Sequence, residues 1–267
     1  MTSTDGSGFR DHDDRPAGRP EPPTPDEPPY WEAIGDFQGA AYRRNAFARS
    51  TAAEIDALWR RLDLRPSVSI LDVGCGNGRH LVAAAHRGAT GLGVDISQGL
   101  VDAATQTIAA DRLEDQVRVV RGDARELDRL VEPGSFDVAW SLSQGGLGTD
   151  PGADAAIVAG MARSVRPGGQ VAVTLFHALF VARHLAPGDA FDPDRLLHHH
   201  VDEVRGPDDE RRSFDLWTTA YTARGARRLC RDAGLEVVSV SGAAPGRYDA
   251  TGLGLDDPEL LVLCHRP

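Results

Sequence analysis

The sequence contains few cysteines, no long apolar run and no recognisable leader. Its three cysteines, Cys75, Cys230 and Cys264, are far apart and lack the spacing of metal ligands, as expected for reduced thiols in a cytoplasm. No apolar run approaches the roughly 18 residues that suggest a membrane span. The N-terminal residues lack the basic and apolar segments of a secretory signal. We therefore expect a cytoplasmic protein without a membrane partner.

Positive charge is also scarce. The chain has 29 lysines and arginines against 40 acids, which gives a net charge of −11 over 267 residues. Proteins that bind nucleic acid usually present a basic face, because neutralising phosphates supplies much of their affinity. The charge balance therefore favours a small-molecule partner over nucleic acid. The length suits one α/β domain with a large core plus a tail or an insertion.

The first 65 residues divide into two segments. Residues 1–29 hold seven of the 17 prolines and an excess of acids, which predicts a disordered tail. Residues 30–65 are helical in pattern, with Ile55, Leu58 and Leu62 at helical spacing, and they predict an N-terminal helical cover. The segment Ser50-Thr51-Ala52-Ala53-Glu54 has the spacing of a capping box, with Ser50 or Thr51 as the cap.

Strand and helix patterns alternate over residues 66–267. The predicted strands before residue 177 are residues 70–73, 91–96, 117–120, 136–141 and 171–176. Residues 235–240 and 260–264 predict a C-terminal antiparallel hairpin, whereas residues 177–221 predict an insertion with a short helix and one added strand. The alternation requires a parallel sheet covered on both faces. We predict an α/β fold, with a doubly wound, mostly parallel seven-stranded sheet and helices on both faces.

The segment from Ile70 to His80 organises the rest of the chain. Asp72 ends the first strand, and Gly74, Gly76 and Gly78 follow at alternate positions before a helix begins. Glycine lets a ligand approach the backbone and tolerates positive φ, and a helix N-terminus favours polar ligands. In a dinucleotide fingerprint the third glycine comes three positions after the second, but here Gly78 comes only two positions after Gly76.

The pattern Asp72-x-Gly74-x-Gly76-x-Gly78 instead resembles the first motif of the class I (Rossmann-like) S-adenosylmethionine-dependent methyltransferases. Three further landmarks occur in the order found in that family: Asp95 at the end of the second strand, Gly122-Asp123-Ala124 after the third, and Arg166-Pro167-Gly168-Gly169 before the fifth. Ligands of open α/β sheets bind outside the carboxyl ends of the strands, where these residues are predicted to lie.

The resemblance implies S-adenosylmethionine as cofactor and assigns roles to the first motif. Asp72 would steady the loop and the cofactor's amino group, while Gly74, Gly76 and Gly78 would admit the methionyl part. Asp95 would accept hydrogen bonds from the two ribose hydroxyls, because a carboxylate offers two oxygens to two donors.

Further cofactor contacts are implied with alternatives. Asp123 would accept from the adenine amino group, with the N–H of Ala124 nearby, or would merely form a turn. Arg79 would pair with the methionyl carboxylate or lie on the surface, and Tyr42 would lie over the cofactor. The resemblance also implies that Ile96 and Ser141 bind the cofactor.

Methyl transfer requires mainly alignment and exclusion of water, and a general base only for a protonated, weakly nucleophilic acceptor. Candidates are Gln144 and Ser143 after the fourth strand and His177 after the fifth; a structural histidine is the alternative for His177. The run His198-His199-His200 has no carboxylate or cysteine at ligand spacing, so we predict no metal site.

The sequence therefore predicts a methyltransferase that acts on a small molecule. The alternatives are an RNA-modifying methyltransferase and a catalytically inactive S-adenosylmethionine-binding protein. The insertion holds five of the 16 aromatic residues, namely Phe180, Phe191, Phe214, Trp217 and Tyr221. With the helical cover it is expected to close over the cofactor and define the acceptor, although packing within the insertion would also explain these residues. The acceptor, the target atom (N, O, C or S), the oligomeric state and the role of the tail stay open.

Overall fold

The computed structural model describes residues 30–44, 50–143, 145–148 and 151–267. The predicted disordered tail lies outside these residues. The described strands are β1 (Ser69–Val73), β2 (Thr90–Asp95), β3 (Val117–Arg121), β4 (Phe136–Ser141), β5 (Val165–Phe176), β6 (Ala190–Asp192), β7 (Leu197–Arg205), β8 (Arg211–Thr219), β9 (Glu236–Ala243) and β10 (Glu259–His265). The α-helices are α1 (Tyr30–Gln38), α2 (Thr51–Arg61), α3 (Arg79–Ala85), α4 (Gln98–Ala110), α5 (Leu127–Leu130), α6 (Pro151–Ser164), α7 (Ala178–Arg183) and α8 (Ala223–Asp232). Short 3₁₀ helices span Gly39–Arg44 and Ala124–Glu126.

Seven of these strands form the central sheet, in the order β3-β2-β1-β4-β5-β10-β9. Strand β1 pairs in parallel with β2 and β4, and β10 runs antiparallel to both β5 and β9. The predicted doubly wound sheet with an antiparallel C-terminal hairpin is therefore confirmed. The order reverses beside β1, which places the carboxyl ends of β1, β2 and β4 at a shared crevice.

Both faces of the sheet are buried under helices. Because side chains alternate along a strand, Ile70 and Leu71 of β1 enter different cores. Ile70 packs with Ile55 and Leu58 of α2, as the helical spacing predicted. Leu71 packs with Met161 of α6 on the opposite face. All five of these side chains are at most 1% exposed, so the core holds the crevice edge rigidly.

The insertion differs from the prediction. Within the described residues, β6, β7 and β8 form a separate antiparallel sheet, so the expectation of one added strand is wrong. The long pairing of β7 with β8 extends from Leu197 opposite Thr219 to Arg205 opposite Arg211. Many side chains of this hairpin are exposed and polar, so its strands carry little of the apolar alternation that would reveal them.

Helix α1 packs on this small sheet. Ile34 of α1 forms a core with Val204 and Leu216, and the rings of Phe37 and Phe214 lie 5.8 Å apart. The helical cover and the insertion thus share one apolar core above the central sheet. None of the helices described is long and apolar enough to cross a membrane.

Candidate active site

The loop between β1 and α3 is built from glycines in the left-handed region. Gly74, Gly76 and Gly78 have φ values of 66°, 54° and 73°, a conformation that glycine adopts without steric cost. A Cβ at Gly74 would lie 1.9 Å from the carbonyl oxygen of Gly145. The N–H of Gly74 donates to Val94 O at 2.8 Å. The expected need for glycine in this loop is confirmed, because backbone from β2 and from the loop after β4 closes around it.

Asp95 lies at the carboxyl end of β2 against the middle glycine of the loop. Its Oδ2 accepts from Gly76 N at 2.7 Å, and its Oδ1 accepts from Ser97 N at 2.9 Å. Burial raises the pKa of Asp95, and the two backbone N–H groups oppose that shift. The carboxylate therefore connects the glycine loop to the start of α4. Its direct contact with ribose stays a prediction.

Asp72 and Tyr42 lie on either side of the loop. Asp72 is 1% exposed, and burial raises its pKa to about 7 against the opposing effects of Trp140 and Arg79. Among the described residues, Asp72 Oδ2 has no hydrogen-bond partner. A Cβ built on Gly76 would lie 3.8 Å from Tyr42 Cε1. Tyr42 thus covers the loop, and the side-chain-free cradle and unpartnered buried oxygen suit a polar, extended ligand.

Arg79 follows the third glycine and connects three segments. Its NH1 donates to Thr51 Oγ1 at 2.8 Å and to Glu54 Oε2 at 2.6 Å, both on α2. Its NH2 donates to Ser143 Oγ, after β4, at 2.7 Å. The side chain is only 11% exposed, so the surface alternative is wrong. Its contact with a methionyl carboxylate stays a prediction.

Glu54 is the main feature that the sequence did not reveal. Its side chain is completely buried and accepts from Arg79, from His80 Nε2 at 2.7 Å, from Gly246 N at 2.9 Å and from Ser50 Oγ at 3.0 Å. Burial raises the pKa of Glu54, but His80, Arg79 and Gly246 outweigh it and lower the pKa to about 2. Burial, with the charge of Arg79, lowers the pKa of His80 to about 4. At neutral pH a neutral imidazole therefore donates to a carboxylate.

The capping-box interpretation is wrong for Glu54. Ser50, one of the two predicted cap residues, is the N-cap residue of α2, but its side chain makes no capping hydrogen bond with the helix backbone. The Glu54 carboxylate, however, binds Arg79 and His80 of α3 and the backbone of Gly246. Local spacing could not reveal partners that are 25 to 192 residues away along the chain.

The other predicted cofactor residues lie along the same edge. Asp123 caps the short 3₁₀ helix by accepting from Arg125 N at 2.9 Å, and it pairs with the Arg125 guanidinium. This geometry matches the turn-forming alternative, and the adenine contact stays a prediction. The Ser141 hydroxyl is buried and donates to Gly145 O at 2.8 Å, so it shapes the loop. Half-buried Ile96 and Ala124 follow β2 and β3.

The two candidate catalytic residues have different outcomes. Gln144 lies outside the described residues. His177 is 1% exposed and its Nδ1 lies 2.9 Å from Asp257 O, to which it donates. This buried contact with a backbone carbonyl matches the structural interpretation. Ser143, beside Gln144, has a φ of 51° and its Oγ lies 3.3 Å from the hydroxyl of Tyr248.

Contacts of the loop after β4 connect it to the insertion. Asp154 is fully buried and accepts from Gly148 N at 2.8 Å and from the Tyr221 hydroxyl at 2.5 Å. Thr219 N of β8 donates to Gly148 O at 2.6 Å. The insertion is therefore fixed to the loop that borders the glycine cradle.

The aromatic residues of the insertion are half-buried. Phe180 stacks on His184 with ring centroids 4.1 Å apart, and Trp217 packs on His199 at 4.2 Å. His198 and His199 pair with different acids, at Asp189 and Asp215. Among the described residues, no three His, Cys, Asp or Glu side chains are grouped so as to hold a metal ion.

The strand order, the acid-glycine loop and the acid at the end of β2 define a Rossmann-like fold of the class I methyltransferases. Residues 70–169 match the family model described as a methyltransferase domain. Over these residues the chain is similar to the methyltransferase-domain family, and S-adenosylmethionine is the cofactor that this similarity indicates.

Two curated relatives are similar to part of the chain. Nocamycin O-methyltransferase of Saccharothrix syringae is 40% identical over 116 residues, which is 42% of this chain and 39% of that protein. Methyltransferase GfsG of Streptomyces halstedii is 33% identical over 119 residues, 44% of this chain and 41% of that protein. The chain thus spans about two fifths of the length of these curated relatives.

Solved structures agree over more of the chain. The CcbJ methyltransferase of Streptomyces caelestis superposes with a TM-score of 0.71 over 87% of this chain and 97% of that one, at 17% identity. The [4+2]-cyclase SpnF also shares the fold, with a TM-score of 0.56 at 19% identity over 84% of each chain. Likeness at this identity concerns the fold alone, since one fold can support different reactions.

Proposed function

We propose that this chain transfers the methyl group of S-adenosylmethionine to a small-molecule acceptor. The observation that carries the proposal is the cradle formed by Gly74, Gly76 and Gly78 in left-handed conformation, with Asp95 bonded to its middle glycine. Such a cradle presents backbone instead of side chains to a ligand. Asp95 and the glycines would hold the ribose and the methionyl part.

The bound cofactor supplies an activated methyl group on a sulfonium. The chain's own contribution is alignment and exclusion of water. Tyr42 covers Gly76 from the cover segment, and Gly145 closes on Gly74 from the acceptor side. These contacts place a wall on each side of the cradle. Because His177 is buried against Asp257 O, we do not assign it the role of a base.

The acceptor site would lie between the helical cover and the insertion. The insertion follows the carboxyl end of β5, and Asp36 of α1 accepts from Ser97 Oγ, after the carboxyl end of β2, at 2.7 Å. The cover and the insertion also share the core around Ile34 and Leu216. The rings of Phe180 and Trp217 are half-buried. Phe180 lies on α7, directly after β5, and Trp217 lies on β8, the last strand of the insertion. An apolar or aromatic acceptor matches these side chains. The printed name of nocamycin O-methyltransferase, a relative, is consistent with a small-molecule acceptor.

One experiment distinguishes this proposal from its two alternatives, an RNA-modifying methyltransferase and an inactive cofactor-binding protein. The purified protein is incubated with methyl-labelled S-adenosylmethionine and either a panel of apolar and aromatic hydroxyl and amino compounds or total RNA. We expect label in a small molecule and none in RNA. Label in RNA alone favours the RNA-modifying alternative. Cofactor binding with no transfer in either arm favours an inactive binding protein or a different reaction on the same fold.

A further inference from the structure

Glu54 connects three parts of the fold that meet beside the cofactor cradle. It lies on α2 of the cover, binds Arg79 and His80 at the start of α3, and binds Gly246 in the connection between β9 and β10. All four donors reach the carboxylate within 3.0 Å, and its side chain is completely buried. A buried carboxylate with this many donors stays ionised and fixed in place.

Arg79 is the partner of Glu54 that directly follows the third glycine of the cradle. It connects Glu54 to Ser143, which lies in the loop after β4. Its positive charge also acts to lower the pKa of Asp72 in the first motif and of Tyr42 over the cradle. Ser143 lies two residues before Gly145, whose backbone approaches Gly74, so the guanidinium borders the loop that closes the cradle.

Stability alone is a weak explanation for this pair. A buried ion pair usually gains little over apolar residues of similar volume, because removing both charges from water offsets their attraction. The pair is nevertheless placed directly after the third glycine, and Arg is suited to bind a carboxylate through two parallel hydrogen bonds. The amino-acid end of S-adenosylmethionine carries such a carboxylate.

We propose that Glu54 is a positioning residue that holds Arg79 toward the amino-acid end of the bound cofactor. Through Ser143 the same guanidinium ties that end of the cofactor to the loop that borders the acceptor. The inference rests on the proposed function, since it assigns a second layer of residues to the same site. Arg79 is predicted to pair with the methionyl carboxylate, and Glu54 would act through Arg79 without touching the ligand itself.

Two ligands separate a positioning role from a structural one. S-adenosylhomocysteine and 5′-methylthioadenosine both carry adenosine and a thioether sulfur, but only the first has the amino-acid group. Calorimetry is carried out on the wild type, on Glu54→Gln and on Asp56→Asn. Asp56 lies on the same helix in a partly exposed pair with Arg87 and serves as the matched control.

We expect Glu54→Gln to weaken S-adenosylhomocysteine by about tenfold or more, the effect of losing a charge-assisted hydrogen bond. The affinity for 5′-methylthioadenosine should stay within about twofold, and Asp56→Asn should change neither affinity. Equal loss for both ligands, or no loss for either, overturns the positioning role.

Two further results complete the test. If Glu54→Gln does not fold, Glu54→Asp keeps the charge but shortens the side chain that holds Arg79. The same selective loss is then expected, and an equal loss for both ligands overturns the proposal. A wild type that binds neither ligand contradicts the proposed function itself, and the positioning role with it. A wild type that binds both, with Glu54→Gln unchanged, contradicts the positioning role alone.

Discussion

Asp72→Asn should make the cofactor-free protein more stable at high pH relative to the wild type. Burial raises the pKa of Asp72 to about 7 from an ordinary value of 3.8. Between these values the unfolded chain has released the proton that the folded protein retains, so the folded protein loses stability as pH rises toward 7. Above pH 7 the full loss persists and no longer changes with pH. The full effect is roughly 4 kcal/mol at most, at about 1.4 kcal/mol per pKa unit. Asparagine cannot ionise, so Asp72→Asn removes this pH-dependent loss of stability.

The assay is urea unfolding of both proteins without cofactor at several values from pH 5 to pH 8. The variant-minus-wild-type difference in unfolding free energy should increase by about 3 kcal/mol over this range. Taking the difference cancels the titrations of Glu54 and His80, which both proteins share. A difference that does not change with pH would refute the reasoning about Asp72.

Two other changes test the cradle and the acceptor side. Gly74→Ala should destabilise the protein by about 1–3 kcal/mol and weaken cofactor binding, because residue 74 has a positive φ and a Cβ there would overlap Gly145 O. Gly252→Ala, which places its Cβ near no other atom, is the control in thermal melts. Equal melting temperatures for the two variants would contradict this prediction. Phe180→Ala and Trp217→Ala should lower turnover of the acceptor while the affinity for S-adenosylhomocysteine stays within about twofold. Losses of about 3–5 kcal/mol in stability, with unchanged acceptor preference, would instead make both rings core residues.

The central sheet could be predicted because its signals are local. Each parallel strand is a short apolar segment that ends near a glycine or an acid, and the observed strands, such as β2 at Thr90–Asp95, match within a few residues. The glycine loop was also readable, since positive φ and close backbone contact restrict residue type at those positions.

The insertion and the Glu54 contacts were not predictable in the same way. Strands β7 and β8 expose many of their side chains, so polar residues break the period of two that marks a half-buried strand. Glu54 has the spacing of a capping residue, and only the packing of α2 on α3 brings it to Arg79 and His80. Strand β5 starts at Val165, before the predicted apolar run, where Val165 pairs with Phe136 of β4 and Arg166 Nε donates to Asp137 Oδ1 at 2.7 Å.

The most direct test of the account is a calorimetric titration of S-adenosylhomocysteine into the wild type and into Asp95→Ala. We predict binding to the wild type, no binding of NAD, and a loss of about 1–3 kcal/mol for Asp95→Ala, the amount expected when hydrogen bonds to a charged group disappear. Asp95 also holds Gly76 N, so the variant should lose part of the loop geometry as well. A wild type that does not bind the ligand, or an Asp95→Ala variant that binds it with unchanged affinity, would contradict the assignment of this cradle as the cofactor site.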